Sequence, residues 1–369
     1  MIPVNEPLLT NDEKDKLIAC IETGWISFEG PFVREFEKSF SEYNHREYGI
    51  AVSSGSAALD VAVAALQLEK EDEVIIPSFT IISCVSAVVR SGATPVLVDA
   101  DPLTWNMDVN QLENLITART KAIMAVHTYG LPVDMDKLQK IANTHKLKII
   151  EDAAEAIGQT YKNKLCGSFG DISIFSFYPN KHITTGEGGM ILTDDLLLAE
   201  RCRKLRNLYF GDTKRYVHEE LGWNYRMTNM QAGLGLAQLE KLDQSLKRKR
   251  EIGNYYTELL SDIPGIQLPL PETSYAENIY WVFGLLLKEE IPFDAEWIIQ
   301  KLRSLDIGSR AFFYPMHLQP VFNKMGLFYK EKYPVSEFLS RRGLYLPSGL
   351  TLTNKQIKEV SDALHKILA

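Results

Sequence analysis

Two carboxylates in the middle of the sequence occupy positions where ionisable groups are unusual. Glu151 and Asp152 directly follow the apolar residues Ile149 and Ile150, which are typical of a buried strand. A charge at the end of a buried strand costs free energy unless a cation or hydrogen bonds offset it. The protonated ring nitrogen of a bound cofactor would be such a cation, whereas a helix N-cap formed by Asp152 would explain the same residue type.

A lysine follows the next apolar stretch. Lys181 comes after residues 171–177 and the turn-forming pair Pro179-Asn180. The segment Thr184-Thr185-Gly186-Glu187-Gly188-Gly189 comes next, and its glycines indicate a bent or crowded backbone close to the lysine. A single lysine after a turn is usually at the surface, so this feature gains meaning only in combination with others.

A run of small residues, Val52-Ser53-Ser54-Gly55-Ser56, lies between a predicted strand and a predicted helix. Small side chains let backbone N–H groups approach an anion, and the start of a helix carries partial positive charge. This pattern predicts a phosphate site, although many helices begin with small residues for structural reasons alone. It is not a Walker loop, and no Gly-x-Gly-x-x-Gly follows any predicted strand, which argues against a nicotinamide dehydrogenase.

In combination, these features meet the requirements of pyridoxal 5'-phosphate (PLP). The small-residue run would hold the phosphate, Asp152 would keep the pyridine nitrogen protonated, and Lys181 would form the Schiff base. A protonated ring withdraws electrons and stabilises a neighbouring carbanion. The sequence therefore favours PLP chemistry, with no metal site expected.

Short uncharged strands alternate with amphipathic helices between residues 48 and 193, and this alternation predicts an α/β fold with a mainly parallel sheet between helices. Ligands of such sheets bind beyond the carboxyl ends of the strands, which is where the residues above are expected. Predicted strands cover 48–52, 73–77, 94–98, 121–126, 147–150, 171–177 and 189–193; predicted helices cover 11–23, 57–68, 80–92 and 135–145.

The length of 369 residues predicts more than one domain. We expect an N-terminal arm (1–14), a large cofactor-binding domain (15–245) and a smaller C-terminal α+β domain (246–369). A long helix is predicted over 240–260, and its basic run 247–250 is interpreted as a solvated helix face. A strand is predicted around 280–287, with helices near Ala295 and Lys355.

The composition excludes several classes of protein. The chain has 40 Lys plus Arg and 48 Asp plus Glu, so its net charge of −8 argues against a nucleic-acid partner. No apolar window is long enough for a membrane span, and the N-terminus does not resemble a signal peptide. Four widely spaced cysteines are expected to be reduced thiols, which indicates a cytoplasmic protein.

Several segments resemble the DegT/StrS family of PLP-dependent nucleotide-sugar aminotransferases, which have fold type I. The resemblance covers nearly the whole chain and is specific because many motifs match in order. They are Gly24-Trp-Ile-Ser27, Pro77-Ser-Phe-Thr80, Met124-Ala-Val-His-Thr-Tyr-Gly130, Glu151-Asp-Ala-Ala-Glu155, Asn180-Lys181, 184–189, Gly222-Trp-Asn-Tyr-Arg-Met-Thr228 and Phe312-Phe-Tyr-Pro-Met-His317.

The resemblance implies roles for residues around the cofactor ring. Lys181 is the implied Schiff-base lysine, and Asp152 would pair with the pyridinium nitrogen. Phe79 would stack on the ring, and Glu155 would lie near the ring hydroxyl.

The resemblance also implies how the phosphate is held. Gly55, Ser56 and Ser176 would bind it from the same chain, while Asn224 would reach it from a neighbouring subunit. The implied assembly is therefore an obligate homodimer with shared active sites. Without the resemblance, the segment around Asn224 would be interpreted as an ordinary loop.

For the substrates, the resemblance implies L-glutamate as amino donor and a nucleotide-linked 4-keto-6-deoxyhexose as acceptor. It is closest to members that aminate GDP-4-keto-6-deoxymannose. Ser27, Arg310, Tyr314 and His317 are candidates for contact with the nucleotide sugar, and an Arg fork suits a diphosphate. A packing role for Tyr314 and His317 is an equal alternative.

Two alternatives remain open at this point. Related PLP-dependent sugar 3-dehydratases replace the Schiff-base lysine, typically by His, so Lys181 favours transamination even though His182 is adjacent. A non-catalytic regulatory protein with the same fold would need a basic DNA-reading element. Ile81, His182 and Val217 depart from the residues common in the family, which leaves the identity of the sugar more open than the type of reaction.

Overall fold

Seven strands form a large central sheet in the computed structural model, which describes residues 1–211 and 214–368. The strands of the whole chain are β1 (Tyr48–Val52), β2 (Glu73–Pro77), β3 (Thr94–Val98), β4 (Thr120–Val126), β5 (Lys148–Asp152), β6 (Thr160–Tyr161), β7 (Lys164–Leu165), β8 (Ile172–Ser176), β9 (Gly189–Thr193), β10 (Ile266–Gln267), β11 (Phe283–Leu287), β12 (Arg310–Ala311) and β13 (Gly343–Leu346).

The order of strands in the large sheet is β1-β9-β8-β5-β4-β2-β3. Only β9 runs antiparallel to its neighbours β1 and β8, while the other adjacent pairs are parallel. Strands β2, β8 and β9 are almost entirely buried because helices cover both faces of the sheet. The predicted α/β class with a mainly parallel sheet is therefore confirmed.

The described ranges contain thirteen α-helices and three sheets, the smallest of which is the pair β6-β7. The helices are α1 (Asn11–Thr23), α2 (Pro31–Tyr43), α3 (Gly55–Ala65), α4 (Ile82–Ser91), α5 (Leu112–Leu115), α6 (Met135–His145), α7 (Leu196–Arg206), α8 (Asn229–Leu239), α9 (Leu242–Leu260), α10 (Ala295–Ser304), α11 (Pro320–Lys324), α12 (Pro334–Arg342) and α13 (Asn354–Leu368). None of those in the described part of the chain is long and apolar enough to cross a membrane.

Some predicted and observed bounds differ because of local hydrogen bonds. Helix α3 begins at Gly55, two positions before the predicted start, because the Ser54 side chain accepts a hydrogen bond from the Ala57 N–H and caps the helix. Strand β5 extends to Asp152 because both carboxylate residues still pair with β4. Helix α1 has the predicted bounds, and the Gly24 that follows it has a φ of 73°, in the left-handed region that glycine adopts without strain.

The C-terminal part of the chain has its own antiparallel sheet, in the order β10-β11-β13-β12. Helices α9, α10 and α13 pack against it around a separate apolar cluster. The first residues of the chain join this part: the Ile2 N–H donates to the Asp306 carbonyl (2.7 Å), and the Gly308 N–H donates to the Ile2 carbonyl (2.8 Å). The Ser348 N–H donates to the Val4 carbonyl (2.9 Å), so the N-terminal arm is anchored along its length.

Candidate active site

A cavity of about 400 Å³ lies at the edge of the large sheet where β5 and β8 end and α3 begins. The sheet topology places it there, because the parallel strands end at the same edge as the N-terminus of α3. Seven of the site residues predicted from the sequence line it: Gly55, Ser56, Asp152, Glu155, Ser176, Lys181 and Arg310.

The N-terminus of α3 forms one end of the cavity. Ser56 Oγ and Ser83 Oγ are 2.6 Å apart, so two hydroxyls lie side by side at the mouth of the helix. The backbone approaches closely here: a Cβ atom on Gly55 would lie 2.7 Å from Ser176 Cβ, and one on Gly189 would lie 2.5 Å from the Ser54 carbonyl oxygen. The N–H groups of a first helical turn have no intrahelical acceptors, so this end of the cavity suits an anion.

The neighbouring carboxylates Glu151 and Asp152 face opposite sides of the sheet, as residues of a strand do. Glu151 accepts hydrogen bonds from the backbone N–H groups of Gly167, Phe169 and Gly170 and lies 3.0 Å from His127 Nε2. Although burial opposes ionisation, these bonds and the His127 ring lower the pKa of Glu151. Glu151 is therefore a structural carboxylate that anchors the turn before β8.

Asp152 faces the cavity and has much weaker support. Its oxygens accept from the Ala154 N–H at 3.0 Å and the Cys84 thiol at 3.3 Å, and within residues 1–211 and 214–368 no ion pair reaches it. Burial therefore raises the pKa of Asp152. A cation in the cavity would lower that pKa and stabilise the ionised carboxylate.

Lys181 is almost buried between a carboxylate and an indole ring. Its Nζ lies 3.8 Å from Glu155 Oε1 and 3.7 Å from the centre of the Trp281 ring. Burial lowers the pKa of Lys181 and raises that of Glu155, although their mutual attraction opposes both shifts. The other Glu155 oxygen accepts from the Tyr129 N–H at 2.9 Å, which fixes the carboxyl group beside the lysine.

Phe79 is not brought to the cavity, which corrects the prediction that it stacks on a cofactor ring. Its side chain is 1 % exposed and packs against the rings of Tyr129, Phe312 and Phe313. The same segment instead presents Ile81 to the cavity, and its side chain is 43 % exposed. Residues 78–80 after β2 are thus all buried, and Ile81 is the first residue of the segment to be exposed.

Two of the four predicted substrate residues, His317 and Tyr314, do not line the cavity. His317 is buried, with its ring nitrogens 2.9 Å from Ser78 Oγ and 3.0 Å from Glu337 Oε1, so the packing alternative describes it in this structure. Tyr314 is 51 % exposed and does not line the cavity either.

Ser27 and Asn224 also lie outside the cavity of their own chain. The Ser27 carbonyl accepts from the Asn229 N–H at the start of α8, while Asn224 pairs through its backbone with Asn207. Both residues are exposed at the surface of this chain.

Sequence reasoning missed three residues of the site: Cys84, Ser83 and Trp281. Ser83 and Cys84 belong to α4, whose periodicity identifies a buried face but no ligand. Trp281 lies about 100 positions after Lys181, and only the aromatic pair Tyr280-Trp281 before β11 was a signal for it. Its indole N–H donates to the Asn180 carbonyl at 2.8 Å.

A second cavity, of about 750 Å³, adjoins the first. The N-terminal arm, α10 and β12 form its walls, and Tyr178, Asn180, Arg310 and Tyr345 line both cavities. Glu296 and Arg303, from α10, line the second cavity alone. The combined space is therefore much larger than a single cofactor needs.

A buried lysine, an unpaired carboxylate and an open helix N-terminus at the carboxyl edge of a mainly parallel sheet define a fold type I PLP enzyme. The chain belongs to the DegT/DnrJ/EryC1/StrS aminotransferase family, whose model matches residues 7–365. It is therefore a PLP-dependent sugar aminotransferase.

Curated and solved relatives agree with this assignment over their whole lengths. GDP-perosamine synthase of Escherichia coli O157:H7 is 40 % identical over 365 residues, which cover 99 % of this chain and 98 % of the relative. GDP-perosamine synthase of Caulobacter vibrioides is 42 % identical over 368 residues, which cover 100 % and 98 %. The solved structure of an aminotransferase from Psychrobacter cryohalolentis is 30 % identical, with a TM-score of 0.92 and 98 % of both chains covered.

The residues present fit PLP. The unpaired, buried Asp152 needs a cation, the open end of α3 needs an anion, and Lys181 lies between them on the cavity wall. When bound, PLP supplies an electron sink that stabilises negative charge on the amino-bearing carbon.

Proposed function

We propose that the protein transfers the amino group of L-glutamate to the 4-keto carbon of GDP-4-keto-6-deoxymannose, giving GDP-perosamine and 2-oxoglutarate. The observation that carries the reaction type is Lys181, buried beside Glu155 in the same cavity as Asp152. The choice of sugar and nucleotide rests on the full-length similarity to two GDP-perosamine synthases.

Lys181 is proposed as the group that moves the proton in both halves of the reaction. Burial lowers the pKa of Lys181, which favours the neutral amine that a general base requires. In the first half, Nζ takes the proton from Cα of glutamate, and glutamate leaves as 2-oxoglutarate after giving up its nitrogen. In the second half, Nζ delivers a proton to the sugar C4, and that carbon gains the nitrogen.

Glu155 is proposed as a proton-holding neighbour of that lysine. The raised pKa of Glu155 follows from burial and means that the carboxyl group takes up a proton readily beside Lys181. The Tyr129 N–H holds one of its oxygens in place, so the other oxygen faces Nζ at 3.8 Å.

The second cavity is proposed to hold the nucleotide. Arg310 lines both cavities, and its guanidinium can donate two parallel hydrogen bonds to two oxygens of a diphosphate. Glu296, on the first turn of α10, supplies a carboxylate farther along the wall. A carboxylate matches guanine, which offers two adjacent N–H donors, and repels uracil and thymine, which flank a single N–H with two carbonyl groups.

The active unit is proposed to be a homodimer with shared sites, in the cytoplasm. Ser27 and Asn224 support this proposal because each is exposed and lies outside the cavity of its own chain. The four cysteines, all buried and without disulfide bonds, are consistent with a reducing compartment.

The test is to incubate the PLP-loaded enzyme with glutamate and a panel of GDP-, UDP- and dTDP-linked 4-keto and 3-keto 6-deoxysugars. Mass spectrometry and NMR would identify the product. We expect a 4-amino sugar from the GDP-linked 4-keto substrate, with one 2-oxoglutarate formed for each. A 3-deoxy-4-keto product that carries no amino group, formed with one 2-oxoglutarate and one free ammonia for each glutamate consumed, would identify a 3-dehydratase and refute the proposal.

Lys181→Ala is the matched variant for this experiment. It should lose both the visible absorbance of the bound cofactor and the turnover of glutamate, because the attachment point and the base are the same amine. An active Lys181→Ala enzyme, without added amine, would refute the assignment of Lys181.

A further inference from the structure

Lys249, in the middle of α9, is a buried amine with no carboxylate beside it in the described part of the chain. Its side chain is 1 % exposed, and across residues 1–211 and 214–368 no carboxylate oxygen lies within 4.0 Å of it. Its Nζ donates to the carbonyl of Trp281 at 2.8 Å and to the carbonyl of Ser348 at 2.5 Å. Two carbonyl acceptors satisfy the two N–H groups of a neutral amine, whereas an ammonium group has one more donor.

The first of these carbonyls belongs to the residue that covers the catalytic lysine. The indole ring of Trp281 lies 3.7 Å from Lys181 Nζ, and its ring N–H donates to the carbonyl of Asn180, the residue before Lys181. The Trp281 residue is thus held at two points, by Lys249 at the backbone and by Asn180 at the ring. The position of the indole over Lys181 depends on both.

The charges of the two lysines oppose each other. Burial, and then the charge of Lys181, lower the pKa of Lys249 to about 7. Because such coupling is reciprocal, a protonated Lys249 disfavours a protonated Lys181. The other ionisable groups near the pair are Glu155 and Asp152, which attract the charge of Lys181, and His182. Burial and the two lysines hold the pKa of His182 well below its usual range, so its ring is neutral.

We propose that Lys249 is a positioning residue for the amine of Lys181: it holds the Trp281 backbone in place and, when it carries a proton, disfavours a second positive charge on the catalytic nitrogen. This inference rests on the proposed role of Lys181 and adds a residue that does not line the cavity. Helix α9 thereby links the C-terminal domain to the chemistry at the edge of the large sheet.

The test compares Lys249→Met with Lys247→Met in the PLP-loaded enzyme. Methionine keeps the length of the side chain and removes both donors and the charge, while Lys247 is an exposed lysine on the same helix. The readout is the pH midpoint at which the visible absorbance of the bound cofactor changes, together with the pH profile of kcat. In Lys249→Met we expect the midpoint to rise by roughly one pH unit and kcat to fall about tenfold.

The outcomes separate this inference from the proposed function. A folded Lys249→Met variant with the wild-type midpoint and kcat would overturn it, as would an equal shift in Lys247→Met. If Lys249→Met does not fold, Lys249→Arg decides, because it retains donors and charge: a midpoint at or below the wild-type value supports the inference, and a raised midpoint contradicts it. Failure of the proposed function is seen separately, as absorbance and turnover that persist in Lys181→Ala.

Discussion

The neighbouring residues Glu151 and Asp152 allow a sharp test, because the same conservative change should lower stability at Glu151 and turnover at Asp152. In Asp152→Asn, the amide oxygen can still accept from the Ala154 N–H, and the charge that burial disfavours is removed. In the wild type, the backbone N–H groups of Gly167, Phe169 and Gly170 donate to the Glu151 carboxylate. In Glu151→Gln, the NH₂ group of the amide must face some of these donors and cannot accept their hydrogen bonds.

The magnitudes follow from these contacts. Replacing Glu151 removes charge-assisted hydrogen bonds and leaves buried donors unpaired, which costs about 3–5 kcal/mol of unfolding free energy. Asp152→Asn should change the unfolding free energy of the cofactor-free protein by less than about 1 kcal/mol. Its effect should fall on turnover, because loss of one partner of a buried charge pair costs about 3–5 kcal/mol, or roughly two to four orders of magnitude in kcat/KM.

Urea unfolding of both cofactor-free variants, followed by circular dichroism, measures the first effect, and the rate of 2-oxoglutarate formation measures the second. The reasoning is refuted if Asp152→Asn unfolds as easily as Glu151→Gln, or if it keeps more than about a tenth of the wild-type kcat/KM.

Three further predictions follow from other contacts. The native pKa of Lys249 is about 7, below its ordinary value of 10.5, so the unfolded state binds more protons between these two pH values. The unfolding free energy of the wild type, relative to that of Lys249→Met, should therefore rise by about 1.4 kcal/mol per pH unit from pH 7 to 10. If urea titrations show a difference that does not change with pH, the burial argument is contradicted. Glu296→Gln should weaken GDP binding by roughly 10- to 100-fold in calorimetric titrations without weakening UDP binding. Glu289→Gln, at an exposed position, is the control. Equal GDP affinity in the two variants would exclude Glu296 from recognition of the base. If sites are shared between subunits, mixing inactive Lys181→Ala and Asn224→Ala chains should restore about a quarter of the wild-type turnover. Half of the random dimers are then mixed, and each mixed dimer contains one intact site out of two. No recovery after verified subunit exchange would place both residues in the same chain's site.

The sequence was sufficient to predict those parts of the fold that depend on local pattern. Strands β1, β2, β3 and β9 have the predicted bounds, because each is a short, mainly apolar run between turn-forming residues. Lys181 and Asp152 could be found for the same reason: each stands at the end of such a run, and parallel strands end at one edge of a sheet.

The remaining features depend on contacts between distant parts of the chain. The direction of Phe79 is decided by Phe312 and Phe313, more than 230 positions later, which take its ring into an aromatic cluster. Lys249 stands within a basic run that is typical of a solvated helix face, and only the packing of α9 against the segment before β11 buries it. Periodicity along one helix carries no information about such a partner.

The anchored N-terminal arm has a consequence for the synthesis of the protein. Ile2 pairs with Ile307, and Val4 binds Ser348, so the arm finds its partners only after about 300 more residues have been made. At 5–20 residues per second, this delay is roughly 15–60 s. The arm also forms a wall of the larger cavity, together with residues after 290, so a nascent chain that ends after the central sheet cannot yet form that cavity.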